Sequence, residues 1–214
     1  FEEVTAMGTT VARDAISSAG VDPGDVDALV VVTTTGLRTP GFDVELVPAL
    51  GLRDDVRRVP ILGMASLGGA AGLAVAADLV SAGHDNVLVV ASEANSTTFV
   101  PGDDSVGALV NMALFSDGAA AVLLSSEAAP PAAVGHGESV EGSEVLRVVG
   151  SHTTLVPDSL HVMGFDPTDE GLTWRLAPDV PDVARRETAE SVDAAVNSVG
   201  WIRDDIDHVL LHPG

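Results

Sequence analysis

The feature that most restricts the fold is an alternation of two segment types: runs too uniformly apolar for half-exposed strands, and stretches with helical spacing. Asp27 to Thr33, Asn86 to Ser92 and Gly118 to Leu124 consist almost wholly of Val, Leu and Ala. Such runs are expected to be strands buried on both faces, which demands helices on each side of a sheet. Helical spacing occupies Val4 to Ala19, closed by Gly20, then Asp43 to Leu50, and an Ala-rich Gly69 to Ser81 closed by Gly83. Arg58 to Met64 reads as another strand, Thr97 to Gly107 as a loop and Ala108 to Phe115 as a helix. A layered α/β fold follows.

Ser125 to Gly142 changes character, with prolines, glycines, Ala and Glu, and reads as an exposed connection. Residues 1–124 and 143–214 are therefore expected to form two α/β halves. In the second, Val145 to Val149, Gly171 to Leu176 and His208 to Leu211 read as strands and Pro181 to Val199 as a helix. The chain begins with Phe1 and stops at Pro213-Gly214 directly after an apolar run, so it reads as a fragment, incomplete at both ends.

Charge narrows the partners. With 32 acidic residues against 10 basic ones, all Arg, the formal net charge is -22. Nucleic acid and anionic membranes are poor partners for such a chain. A GC-rich genome or a salt-adapted organism is the plainer account of the acidity, with a functional acidic face as the alternative. No apolar run reaches the roughly 18 residues of a membrane span and no charged leader precedes one, so a cytoplasmic protein is expected. There is no Cys, which removes disulfides, thiolate metal sites and thiol nucleophiles.

The most informative stretch is Ile61-Leu-Gly-Met-Ala-Ser-Leu-Gly-Gly-Ala-Ala-Gly-Leu73, which passes from strand to helix through small residues. Ser66 sits at that junction. A nucleophile there stands on a sharp turn beside the N–H groups and positive dipole end of a helix, which suits acyl transfer. Alternatively, the small residues serve only to seat the helix close to the sheet. Met64-x-Ser66-x-Gly68 falls one Gly short of a G-x-S-x-G elbow, though the order Ser, several Asp and His212 fits a hydrolase triad. Gly68, Gly69 and Gly72 lack the G-x-G-x-x-G spacing of a dinucleotide site.

Here the chain resembles the type III polyketide synthases of the chalcone and stilbene synthase family, in which Gly-Cys-x-x-Gly-Ala-Ala-Gly-Leu surrounds the nucleophile. Aligned without gaps through Gly69-Ala-Ala-Gly-Leu-Ala-Val-Ala-Ala-Asp78, the family Cys falls on Ser66. Further segments follow in family order: Thr34-Thr-Gly-Leu-Arg-Thr-Pro40, Leu50-Gly-Leu-Arg53, Ala113-Leu-Phe-Ser-Asp-Gly-Ala-Ala-Ala121, Met163-Gly-Phe-Asp166, Gly171-Leu-Thr-Trp-Arg-Leu176 and His212-Pro-Gly214. The resemblance implies a thiolase-like fold of two similar halves, with helices between and outside mixed sheets. It also implies a homodimer that loads an acyl group from acyl-CoA and condenses it with malonyl-CoA by decarboxylation, with no permanently bound cofactor.

Carried over by position, Ser66 takes the acylated site and His212 the His that activates the nucleophile and stabilises the enolate. Phe115 and Trp174 match gatekeeper aromatics that contact substrate, the second usually Phe. The Thr34 to Pro40 loop is expected near the partner's cavity. The family's catalytic Asn has no counterpart up to Gly214; Asn95 and Asn111 read as loop or cap residues. Glu93 matches a frequent family Glu, and orienting neighbouring loops is as good a reading of it as catalysis.

Ser at position 66 departs from the family pattern. Cys supplies thiolate near neutral pH, whereas Ser needs a general base in the transition state. An oxygen ester is also a poorer acyl donor to a carbanion, so condensation should suffer more than loading. An engineered trap, a natural Ser-dependent acyltransferase or hydrolase, and a condensation-deficient or non-catalytic member all fit. His208 and His212 would stand roughly 13 Å apart on a strand, too far to share a metal. His84, His136 and His161 read as surface residues, and His152 as a possible cavity residue. Arg13, Arg53, Arg57 and Arg58 could meet an anionic CoA, but pairing with the many Asp is the plainer reading.

Overall fold

In this computed structural model, residues 1–99, 101–102, 104, 106–126, 146–169 and 171–212 are described. They form two compact units, one of residues 1–97 and 116–147, the other of residues 98–115 and 148–214. Most of the expected 125–142 connection, His136 and Pro213-Gly214 lie outside the described residues.

The first unit follows the order α1 (Glu2–Ala19), β1 (Ala28–Thr33), α2 (Asp43–Leu50), β2 (Arg57–Leu62), α3 (Gly68–Ser81), β3 (Asn86–Glu93) and β4 (Gly118–Ser125). Its sheet runs β2-β1-β3-β4, parallel through β1 and antiparallel at β4. Strand periodicity sorts the apolar runs into two cores. Leu29 and Val31 of β1, with Leu88 and Val90 of β3, face Val4, Ala12 and Ile16 of α1 and Leu46 and Leu50 of α2. The alternate residues Ala28, Val30, Val87 and Val89 face Ala76 and Leu79 of α3. Every residue of β1 is buried, as its composition demands.

Helix ends follow local chemistry. Gly20 ends α1 at φ +66 and Gly51 ends α2 at φ +73, the left-handed region that glycine enters without a Cβ penalty.

The second unit contains α4 (Val106–Leu114), the antiparallel pair β5 (Met163–Thr168) and β6 (Gly171–Leu176), and α5 (Val180–Ser198) with Pro181 in its first turn. Helix α4 packs on β6.

Three expectations need correction. β4 is not buried throughout: it is an edge strand whose residues Ala120 and Val122 are exposed. Residues 146–149 and 208–211 are not strands, and Leu210 is 96% exposed. Apolar composition alone does not make a strand without a neighbouring ladder, and none of the described residues supplies one there. β5 adds a strand beyond those expected; its Gly164 and Pro167 are tolerated because, among the described residues, both strands of the pair are edges.

Candidate active site

Ser66 is reached through a left-handed backbone. After β2 the chain passes Gly63 at φ +74 and Ala65 at φ +44, enters a 3-10 turn over Ala65–Leu67 and continues into α3. Ala65 is one of two non-glycine residues at positive φ among those described. A side chain makes that conformation unfavourable, and such residues cluster at functional turns. Ser66 is exposed, and no side chain caps α3. Ser66 therefore stands two residues before the first residue of a 14-residue helix that has no capping side chain, its Gly68 amide donating back to the Ala65 carbonyl.

The neighbouring glycines explain how α3 is seated. A Cβ at Gly68 would lie 2.5 Å from Val32 Cγ1, and one at Gly72 2.9 Å from Val32 Cγ2. Four residues apart, the two glycines share one helical face and allow α3 to press on β1. The packing reading of the small-residue run is thus seen in the structure, and it leaves the Ser66 reading open.

Glu93, at the end of β3, anchors the loop after β1. It accepts hydrogen bonds from the Thr34 and Thr35 amides at 2.6 and 2.8 Å, and from the Thr35 hydroxyl at 2.5 Å. The Ala94 amide in turn donates to Thr35 Oγ1 at 2.8 Å. Of its two readings, the geometry displays the loop-orienting one. That loop leads to a cis Thr39-Pro40 bond and to a cleft of about 280 Å³ lined by residues including Arg38, Phe42, Arg58 and Leu62.

Three of the four candidate arginines are engaged. Arg58 pairs at 2.7 Å with the buried Asp43, Arg53 contacts Asp55 and Asp27, and Arg13 donates to the Ala49 carbonyl. Arg57 is exposed. Burial pushes Asp27 upward, but amide hydrogen bonds from Asn86 and Asp85, together with Arg53, outweigh it and hold the carboxyl below its ordinary value. Asp117 is also lowered, by the hydroxyl and then the amide of Ser96.

The remaining candidates fall in the second unit. Phe115 is half-buried just after α4, and Trp174 stands on β6 in register with Phe165. His212 is exposed in an irregular segment. His152 is exposed, with its ring 3.1 Å from Thr154 Oγ1, and His161 lies 3.5 Å from Asp179. Sequence reasoning missed the carboxylate roles of Asp43, Asp27 and Asp117; the only available signal was their position beside turns and strand ends. It also missed the left-handed Ala65, because Ala gives no hint of positive φ.

The α/β order of elements is that of a thiolase-like fold, as the comparisons show. Residues 1–128 match the family described as chalcone and stilbene synthases, N-terminal domain, so the chain belongs to that family of type III polyketide synthases. This sets aside the hydrolase and dinucleotide folds.

Among its relatives, 1,3,6,8-tetrahydroxynaphthalene synthase of Streptomyces peucetius subsp. caesius is 32% identical over 212 residues, 97% of this chain and 54% of that protein. Germicidin synthase from Streptomyces coelicolor, a type III polyketide synthase, superposes with a TM-score of 0.81 at 31% identity, covering 98% of this chain and 50% of that one. The crystal structure of 1,3,6,8-tetrahydroxynaphthalene synthase from Streptomyces coelicolor A3(2) reaches a TM-score of 0.86 at 24% identity, over 100% of this chain and 57% of its own. At that identity the likeness speaks for the fold. The chain spans about half the length of the relatives it matches.

Proposed function

We propose that the protein containing this chain is an acyltransferase of the type III polyketide synthase kind, with Ser66 as the acylated residue and His212 as its base. The observation that carries the reading is the exposed Ser66 in the turn that leads into α3, entered through Ala65 at φ +44, in a chain of this family.

In the loading step His212 takes the Ser66 proton as the oxygen attacks the thioester carbonyl. The helix N-terminus stabilises the developing oxyanion, and the C–S bond breaks. The departing CoA thiolate recovers the proton from His212. Malonyl-CoA then loses CO2, its carbanion attacks the Ser66 ester, and the C–O bond breaks to give a β-ketoacyl-CoA. The Ser66 alkoxide released in this step takes up one proton from solvent, relayed through His212. Phe115 and Trp174 act at the substrate channel, the larger Trp174 ring narrowing the space for the growing chain.

Residues 1–124 and 143–214 would belong to two thiolase-like halves, the protein acting as a homodimer in the cytoplasm on CoA thioesters, without nucleic acid or membrane as partner. No helix among the described residues is long and apolar enough to cross a membrane. The test is conversion of labelled malonyl-CoA with an acyl-CoA starter by the full-length protein, its Ser66→Cys form and its His212→Ala form. Condensation that rises in Ser66→Cys and is lost in His212→Ala is the expected result. No product from any form, with free acid released from simple esters instead, would favour a Ser-dependent hydrolase. Acyl-CoA binding without turnover would indicate a non-catalytic member.

A further inference from the structure

The segment of residues 98–115 leaves the first unit after Thr97 and returns at Ser116, and side chains tie the two crossing points together. The backbone ladder of β3 and β4 ends at Glu93 and Gly118. Beyond it, Asn95 Nδ2 donates to the Ser116 carbonyl at 2.9 Å. The Ser96 amide donates to Asp117 Oδ1 and the Ser96 hydroxyl to Asp117 Oδ2, each at 2.7 Å. These bonds continue the pairing where the 3-10 turn Asn95–Thr98 carries the backbone away from the ladder. Two of them end on an ionised carboxylate, the stronger kind.

We propose that this clasp positions Phe115, making Asp117 a positioning residue for acyl-chain selection. The Ser116 carbonyl is fixed by Asn95, and Asp117 is fixed by Ser96, so the backbone is held immediately after the half-buried Phe115. Phe115 also follows α4 directly, so the same neck restrains the C-terminal end of that helix. The carboxylate is suited to this task because it offers two acceptors to two donors of one residue, a geometry that a single hydroxyl or amide bond would leave free to swivel. The selection role rests on the proposed function; the positioning role does not.

Amide hydrogen exchange over residues 106–115, followed by mass spectrometry, reads the clasp directly in the full-length protein. Asp117→Ala should accelerate exchange there about tenfold, while β1 and β3 retain their protection. Asp117→Asn should restore near-native exchange, because its carbonyl can accept from the Ser96 amide and its NH2 can donate to the Ser96 hydroxyl. Asn95→Ala removes the other arm and should accelerate the same segment, which covers the case in which Asp117→Ala does not fold. Unchanged exchange in the folded variants would overturn the proposal.

In the Ser66→Cys background, competing short-chain and long-chain acyl-CoA should give an adduct ratio altered about threefold or more by Asp117→Ala and little by Asp117→Asn. An unaltered ratio alongside accelerated exchange would overturn the selection role. Absence of any adduct before the clasp is altered would instead count against the proposed function, and the exchange result would still decide the clasp.

Discussion

At the scale of single residues, buried or semi-buried carboxylates do much of the organising. Glu93 receives two amides and the Thr35 hydroxyl on its two oxygens. Glu93→Gln would turn an NH2 group toward one of those donors, and should cost about 2 kcal/mol of unfolding free energy, read from urea denaturation. An unchanged midpoint would show that the loop is held by other means. Asp27 gives a pH signature. Its folded pKa lies below the ordinary 3.8, so its contribution to stability is complete above that value and is lost as pH falls through the folded one. Asp27→Asn should therefore lower stability near neutrality and flatten its decline below about pH 4. Unfolding measured across acid pH checks this, and parallel curves for the two proteins would contradict it.

At the scale of elements, the strands of the first unit were legible because each apolar run had a neighbour to pair with. β1 and β3 read correctly for the physical reason that governs them, burial on both faces. The same composition failed at residues 208–211, where no ladder is available among the described residues, and it overstated β4, which has a partner on only one side. Helix α3 shows how the site depends on packing. In Gly68→Ala the new Cβ would meet Val32 Cγ1 at 2.5 Å, an overpacking expected to cost about 1–3 kcal/mol. Combining it with Val32→Ala should recover part of that loss, a coupling of about 1 kcal/mol visible in a double-mutant cycle. Strict additivity would mean that the glycine is not there for the close approach.

At the scale of the whole molecule, the net charge of -22 acts on every equilibrium the protein enters. Arg53 and Arg58 are already paired with carboxylates, so little positive charge on these positions is left for an anionic thioester. Raising NaCl from 0.01 to 1 M, which shortens the screening length from roughly 30 to 3 Å, should raise Tm by relieving self-repulsion; a fall would contradict the charge argument.

Of the candidate site, the turn and helix around Ser66 were legible as local structure. Ser66 and its helix were marked by the small-residue run and the family resemblance, whereas the left-handed Ala65 and the Asp117 clasp depend on backbone conformation and on contacts between residues 21 apart. Local patterns do not encode such relations.

The central claim is that Ser66 accepts an acyl group from CoA. Peptide-level mass spectrometry of the full-length protein after incubation with acyl-CoA tests it most directly. The account predicts an acyl mass on the peptide containing Ser66, more of it in Ser66→Cys, and none there in Ser66→Ala. An unmodified peptide in both the native and Ser66→Cys proteins, or the same acyl load on Ser66→Ala, would contradict it.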